Sequence, residues 1–382
     1  MGVLIPVLAA CGRINFDARS DGGGGGGDSG DDGGITVDAR SQVTPPLPVS
    51  DTQSVASCPA IAWSGVRWGV AWVDRRDSTA GEIYFAALDA NGTKIGVDVR
   101  VTNDVAATLC PAITWNGTRF LVVFPDERVG NFEIFGALIS DLGVVEAGTP
   151  PRLTSDNGDS TQPTLGWNGT TFDLAWRDVR GVNSEVHYVR ASGAGVVLPP
   201  EVTVSQTGVF VNVAALAETP WGAAVAWYDD SNGTLLRLSL LSNSIEQYDV
   251  SLGPATTGTG FTGPPAIAWT GSQLAVAWIE EPVSQSRDLV FANVDAASGV
   301  ASSPVPLGVS GPTKPVAAVA GGLLGLVQQP GPRFVLRSTN GQPVDAPITL
   351  TQAAETSISS DDTRFAIAAT RASQVQLYLI TP

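Results

Sequence analysis

Histidine, cysteine and charged residues are scarce in this chain. Of 382 residues one is His and three are Cys, and charged residues make up only 15%. So few imidazoles and thiols argue against a metal site built from soft ligands, and we expect neither a metal nor a cofactor. The single His187 lies in an alternating strand pattern, Glu-Val-His-Tyr-Val, which favours a structural side chain over a catalytic one. The sequence also contains no Walker loop, Gly-x-Ser-x-Gly, Cys-x-x-Cys or His-Glu-x-x-His motif.

Positive charge and helical periodicity are scarce as well. The chain has 21 Lys and Arg against 37 Asp and Glu, a formal net charge of −16. Phosphate backbones and anionic lipid surfaces repel such a chain, so no nucleic-acid partner is expected. The 43 Gly and 26 Pro residues favour short strands joined by turns over long helices.

What the sequence does contain is a repeat. The stretch from Cys58 to Asp74 begins Cys-Pro-Ala-Ile-Ala-Trp-Ser-Gly and continues to Gly-Val-Ala-Trp-Val-Asp; similar stretches start at Cys110, Gln162 and Pro264. Trp63, Trp115 and Trp167 are 52 residues apart, and Trp269 follows 102 residues later, which is two periods of 51. A weaker copy lies between them. Internal periodicity of this length is typical of propellers and solenoids.

Each unit predicts four strands. Two nearly continuous apolar strands flank a tight turn, Ser64-Gly65 in the first unit, and a third strand and a more polar fourth strand follow. The units run roughly 58–109, 110–162, 163–213, 214–263, 264–314 and 315–357, and a seventh piece ends the chain. Four-stranded units of about 50 residues predict an all-β propeller.

The blade number follows from the two chain ends. The seventh piece lacks a fourth strand, and residues 46–50 resemble the fourth strand of the other units. We therefore predict seven blades, with the N-terminal strand closing the last one. Six blades remain the alternative if one degenerate unit is not a blade.

The first 42 residues read as an export and tethering segment. Residues 1–10 are apolar, and Leu8-Ala9-Ala10-Cys11 resembles a bacterial lipobox, in which cleavage precedes a lipidated Cys. No Lys or Arg precedes the apolar run, so the signal would be atypical or truncated at its start. Residues 11–42 are rich in Gly and Asp and are predicted to be a disordered tether. The propeller is assigned to residues 43–382.

Two sets of residues could carry chemistry. Cys58 and Cys110 share one repeat position, and a disulfide between them or two buried thiols are both open. An Asp-x-Arg signature recurs after the second strand of the first three units: Asp74 and Arg76, Asp126 and Arg128, Asp178 and Arg180. A repeated turn capped by Asp and paired with Arg is the favoured interpretation. The alternative is a ring of carboxylates and guanidiniums that binds a sugar or a cation, or that cleaves a glycan.

Most of the ten Trp residues occupy two repeat positions and are expected to pack between blades. Trp68 and Trp221 fall outside both positions, and we predict exposed rings that could stack on a ligand.

The repeat Pro-Ala-Ile-Ala-Trp-x-Gly…Val-Ala-Trp-x-Asp-x-Arg…Glu-Ile-Tyr-x-Ala-x-Leu-Asp, behind Leu-Ala-Ala-Cys and a Gly/Asp tether, resembles repeat-containing β-propeller lipoproteins of myxobacteria and related bacteria. The resemblance covers about residues 43–382. It implies an outer-membrane lipoprotein of the cell envelope that faces the periplasm or the cell surface, and it implies no specific activity. Sialidase-type propellers are a more distant comparison, because their Ser-x-Asp-x-Gly-x-x-Trp box is absent here.

These observations favour a non-enzymatic envelope protein whose propeller binds a protein or a glycan and meets the membrane only through its lipid anchor. The alternative is a propeller-type glycoside hydrolase or lyase, which would need two carboxylates roughly 5–10 Å apart. A scaffold subunit of an envelope complex is a third, weaker interpretation.

Overall fold

A computed structural model describes residues 41–146, 151–180, 183–205, 211–229, 235–254, 264–280, 288–310, 315–328 and 332–382. Residues Arg40–Pro382 form one compact unit. The predicted signal, Cys11 and the Gly/Asp-rich run of the tether lie outside the described residues. The described part contains strands and no helix, and it therefore has no helix that could cross a membrane.

The strands form seven separate antiparallel sheets. Blade 1 contains β3 (Ala56–Trp63), β4 (Trp68–Asp74), β5 (Glu82–Leu88) and β6 (Lys94–Arg100). Blade 2 contains β7 (Ala112–Trp115), β8 (Phe120–Asp126) and β9 (Glu133–Ile139). Blade 3 contains β10 (Asp159–Trp167), β11 (Thr171–Val179), β12 (Glu185–Ser192) and β13 (Val197–Thr203).

The second half of the chain continues the pattern. Blade 4 contains β14 (Val211–Thr219), β15 (Gly222–Asp229), β16 (Leu235–Ser242) and β17 (Ile245–Pro254). Blade 5 contains β18 (Ala266–Trp269), β19 (Leu274–Glu280), β20 (Asp288–Val294) and β21 (Val305–Ser310). Blade 6 contains β22 (Val316–Ala320), β23 (Leu323–Gln328), β24 (Arg333–Ser338) and β25 (Ile348–Thr349).

Blade 7 joins the two ends of the chain. It contains β26 (Thr356–Ser360), β27 (Phe365–Arg371) and β28 (Gln374–Thr381), and two short N-terminal strands, β1 (Gln42–Val43) and β2 (Leu47–Pro48), pair with β28. The first strands of neighbouring blades contact each other in a closed ring around a central axis. The prediction of a seven-bladed propeller closed by an N-terminal strand is confirmed, and six blades are excluded.

One predicted strand, the fourth strand of blade 2, is shortened to a single bridge. The sequence predicts a fourth strand at residues 151–154 in blade 2, but only the isolated bridge between Arg152 and Phe135 forms there. Pro151 contributes to the loss, because proline has no N–H to donate to a strand ladder.

The hydrophobic core is divided among the blade interfaces. Seven clusters of buried side chains form, and each joins two neighbouring blades; Phe85 of blade 1, for example, packs on Phe120 of blade 2. Both faces of each sheet are therefore covered, which explains the continuous apolar runs of the second and third strands.

The predicted turns between first and second strands are present in equivalent places. Gly65, Gly117, Gly169 and Gly271 have φ between 91° and 94°, a conformation that favours glycine. These turns and those between third and fourth strands lie on what we call the hairpin face. The opposite end, where first strands begin and second strands finish, is the loop face.

Candidate functional site

The Asp-x-Arg residues lie on the loop face and are bound to one another. In blade 1 the Asp74 carboxylate is fully buried and accepts hydrogen bonds from Ser54 Oγ (2.5 Å), Trp72 Nε1 (2.9 Å) and the Arg76 guanidinium (2.7 Å). Arg76 also binds Asp98 at 2.7 Å. Burial acts to raise the pKa of Asp74, but the donors around it outweigh burial and hold that pKa well below its ordinary range.

Blades 2 and 3 repeat this arrangement. Asp126 accepts two hydrogen bonds from the Arg128 side chain, at 2.8 and 2.7 Å, and these outweigh burial and lower its pKa. In blade 3, Asp178 accepts from Trp176 Nε1 at 3.0 Å and from Arg180 Nε at 2.8 Å. All three aspartate side chains are buried, and each accepts a hydrogen bond from the Arg two residues after it.

A second ring of carboxylates supports the first and was not singled out from the sequence. Glu82 and Glu133 are buried directly opposite Asp74 and Asp126 in the strand pairing. Glu82 accepts from Arg100 at 2.7 Å and from the hydroxyl of Thr102. The sequence signal that could have identified these two glutamates is their equivalent position in the repeat, in Glu-Ile-Tyr and Glu-Ile-Phe.

The two rings connect neighbouring blades through the interblade loops. The backbone N–H of Asp104 donates to Glu82 of blade 1, and its carboxylate binds Arg128 of blade 2 at 3.0 Å. Asp156 repeats the link between Glu133 of blade 2 and Arg180 of blade 3. Arg128 and Arg180 therefore link their own blades to the preceding blade.

The central axis carries a cavity at the loop face. Its volume is about 490 Å³, and first-strand residues of blades 2 to 7 line it, among them Pro111, Pro163, Pro265 and Pro315. Among the described residues that line it there is no charged side chain, and none of the six Asp-x-Arg residues. The structure thus does not place the motif carboxylates at the cavity that a glycosidase would use.

A disulfide lies at the same mouth. Cys58 and Cys110 are joined, with their Cα atoms 5.2 Å apart. The bond links the first strands of blades 1 and 2, and Cys110 also lines the cavity. Glu355 of blade 7 accepts a hydrogen bond from the Cys58 backbone N–H at 2.5 Å. Three blades are therefore tied together at this point of the rim.

The two predicted stacking residues, Trp68 and Trp221, differ in solvent exposure. The prediction for Trp68 is wrong: its side chain is 0% exposed and packs on Trp63, with ring centroids 4.4 Å apart. Trp68 begins a second strand, where Phe120 and Phe172 are also buried, so it belongs to a core position. Trp221 lies in the β14–β15 turn of the hairpin face and is 46% exposed.

The hairpin face presents aromatic rings close to the axis. Trp63, Trp115, Trp167 and Trp269 end first strands, and each is half-buried. The Trp221 ring stands edge-on to that of Trp269, with centroids 5.7 Å apart and planes at 80°. Adjacent blades are held together there by contacts such as Asn116 Nδ2 to the Gly193 carbonyl at 2.9 Å.

No group of three or more His, Cys, Asp or Glu residues that could hold a metal occurs in the described part of the chain. His187 is buried, with one ring nitrogen 2.7 Å from Glu201 and the other 3.2 Å from Glu185. Burial acts to lower its pKa, but the bond to Glu201 prevails and raises it.

Comparison with known proteins adds little to this picture. No protein-family description matches the sequence, and no curated protein matches it. Among solved structures, the chain is similar to a subtype N10 neuraminidase-like protein of A/little yellow-shouldered bat/Guatemala. That match has a TM-score of 0.49 and 9% identity and covers 89% of this chain and 99% of the other.

Proposed function

We propose that this chain is a non-enzymatic binding protein of the cell envelope and that its hairpin face binds a glycan. The exposed Trp221 ring is the observation that carries the proposal. Trp221 stands edge-on to the half-buried Trp269, so the two rings together form an aromatic surface that is partly open to solvent. The apolar faces of sugar rings stack on aromatic side chains of this kind.

The state of the loop-face carboxylates supports the non-enzymatic part. A glycosidase needs one carboxyl group that can hold a proton near neutral pH and a second that faces the substrate. The pKa values of Asp74 and Asp126 are instead lowered, and their oxygens already accept hydrogen bonds from Arg, Ser, Trp and Thr donors.

The cellular location rests on the sequence. The Leu8-Ala9-Ala10-Cys11 motif and the Gly/Asp-rich stretch after it would anchor the chain through a lipid and hold the propeller away from the membrane surface. In this proposal the membrane is contacted by the lipid alone.

Binding of the full-length protein to arrayed bacterial polysaccharides and peptidoglycan fragments tests the partner. We expect one glycan class to be retained, and Trp221→Ala to weaken its binding about tenfold, the equivalent of losing one stacking contact. Val196→Ala, which removes an exposed apolar side chain from another turn of the same face, is the control and should change binding little.

Two other outcomes would contradict the proposal. Turnover of any glycan by the protein, lost in Asp74→Asn or Asp178→Asn, would show a hydrolase or lyase. Capture of one dominant protein from crosslinked cells, unaffected by Trp221→Ala, would show a protein partner. Mass spectrometry of the Cys11 peptide tests the anchor separately.

A further inference from the structure

Two carboxyl groups meet inside the interface between blades 3 and 4. Asp173 lies on β11 opposite Gly166 of β10, and Glu218 of β14 reaches across from blade 4 to lie over Gly166. A Cβ atom at position 166 would stand 2.2 Å from Glu218 Oε1, so only glycine leaves room for this carboxyl group. The equivalent position in the first three units is occupied by Ala62, Thr114 and Gly166. Of these, only Gly166 leaves space for a Glu side chain from the next blade.

The two acids have very different partners. Asp173 accepts hydrogen bonds from the Tyr188 hydroxyl and from Asn168 Nδ2, the latter at 2.7 Å. Both oxygens of Glu218 are shielded from water, and among the described residues no N–H or O–H donates to them. What faces Glu218 is the Asp173 carboxyl group. The two carboxyl groups can form a hydrogen bond with each other only if one of them is protonated.

The surrounding charges do not neutralise the pair. Arg190 lies opposite Asp173 in the strand pairing and attracts it, but its guanidinium also binds Asn243 of blade 4 at 3.0 Å. The charged group that acts on Glu218 is Asp173 itself. Tyr188, which donates to Asp173, is a neutral group. Two buried anions that share one cation, itself bound to Asn243, would repel each other strongly.

We propose that Asp173 and Glu218 share a single proton and act as a pH-sensitive clasp between blades 3 and 4, closed while the proton is present and opened by its loss. This inference is independent of the proposed glycan-binding function. The proton resides on Glu218, because Asp173 already accepts two hydrogen bonds whereas the Glu218 oxygens accept none from the described residues. Burial, followed by the charge of Asp173, raises the pKa of Glu218 to about 9.

The direction of the pH effect follows from proton linkage. Glu218 has an ordinary pKa of 4.5 once the chain unfolds, so unfolding above that pH releases the proton. The stabilising contribution of the clasp is complete below pH 4.5 and is lost as pH rises towards 9. The unfolding equilibrium constant should therefore rise by up to about tenfold per pH unit in this window.

Urea unfolding of the full chain between pH 5 and 9 tests the clasp. In Glu218→Gln the amide donates permanently to Asp173, so we expect the variant to lose this pH dependence and to be more stable than wild type at pH 8. Glu127→Gln, the same chemical change at an exposed site, should follow wild type. Equal pH dependence in all three proteins would overturn the proposal.

A second measurement does not depend on stability. Difference infrared spectra of folded protein at pH 7 should contain the carbonyl stretch of a protonated carboxyl group in wild type and lack it in Glu218→Gln. If Glu218→Gln does not fold, the same spectra can be recorded on Asp173→Asn. Its neutral amide removes the charge that holds the proton, so the same stretch should disappear at a lower pH than in wild type. Absence of the protonated band from wild type would also overturn the proposal.

Discussion

Blades 1 to 3 and blades 4 to 6 share one architecture but differ at the loop face. In the first group an Asp lies at or next to the end of the second strand, a Glu begins the third strand, and Arg follows two residues after the Asp. In blades 4 and 5, Ser231 and Pro282 stand where that Arg would be, and Asp229 is opposite Leu235. Both groups have apolar interblade cores. The Asp–Glu–Arg arrangement of the first group is therefore an addition to the propeller and not a requirement for it.

The largest expected effect is the loss of a buried aspartate from the first group. Asp74→Ala leaves Trp72 Nε1 without its acceptor and removes one of the two carboxylates that the Arg76 guanidinium binds at 2.7 Å, so it should lower the free energy of unfolding by about 3 kcal/mol. Glu280→Ala is the matched change in blade 5, where Glu280 forms no hydrogen bond or ion pair with described residues, and should cost under about 0.5 kcal/mol. Urea denaturation measures both, and similar costs would remove the distinction between the groups.

Loss of the disulfide, which also belongs to the first group, should have the next largest effect. The bond closes a loop over a sequence separation of 52 residues, so Cys58→Ser combined with Cys110→Ser should lower the free energy of unfolding by about 2–4 kcal/mol. Wild type in a reducing buffer is the control and should approach the double variant. If reduction changes nothing, the two cysteines are free thiols in solution.

A smaller difference is expected between equivalent tryptophans. Trp72 Nε1 donates to Asp74, whereas the buried Trp227 Nε1 has no acceptor among the described residues. Phe in place of either residue loses similar packing, but only Trp72→Phe also loses a hydrogen bond to a charged group. We expect Trp72→Phe to cost about 1–2 kcal/mol more than Trp227→Phe in thermal or urea unfolding. An equal cost would mean that the bond is not formed.

The smallest effect concerns the only histidine, which makes NMR assignment direct. Its pKa should lie above 6.5 in folded protein, and Glu201→Gln should lower it, since Glu201 is the main group that stabilises the charged ring. Because the folded pKa is raised, the stability that His187 contributes is complete below pH 6.5 and is lost as pH rises through the folded value. Glu146→Gln, at an ion pair of blade 2, should leave the titration unchanged.

Much of the fold could be predicted because repetition makes each local signal appear several times. Trp63, Trp115 and Trp167 established the period, and the Asn-Gly and Ser-Gly turns established where strands reverse. The closing strand could be predicted because one unit lacked a strand that the other chain end supplied. The structural interpretation of Asp-x-Arg followed from the same logic.

The remaining errors arise where a residue departs from the repeat. Trp68 stands outside the two regular Trp positions and was expected to be exposed, although its position is filled by Phe in blades 2 and 3 and is buried in all three. Glu218 lies in the weakest copy, and its meeting with Asp173 depends on which face of each strand is turned towards the neighbouring blade. Spacing along the chain does not report that orientation.

The seam in blade 7 has a consequence for how the protein is made. Strands β1 and β2 leave the ribosome first, and their partner β28 leaves last, with Gln42 finally pairing with Thr381. The other six blades need no strand from the opposite end of the fold, so they can form while the ring is still open. Without β28, blade 7 would keep an unpaired strand edge, the kind of edge that pairs with other chains and aggregates. Pairing of β28 with β1 and β2 is thus the step that shuts the ring.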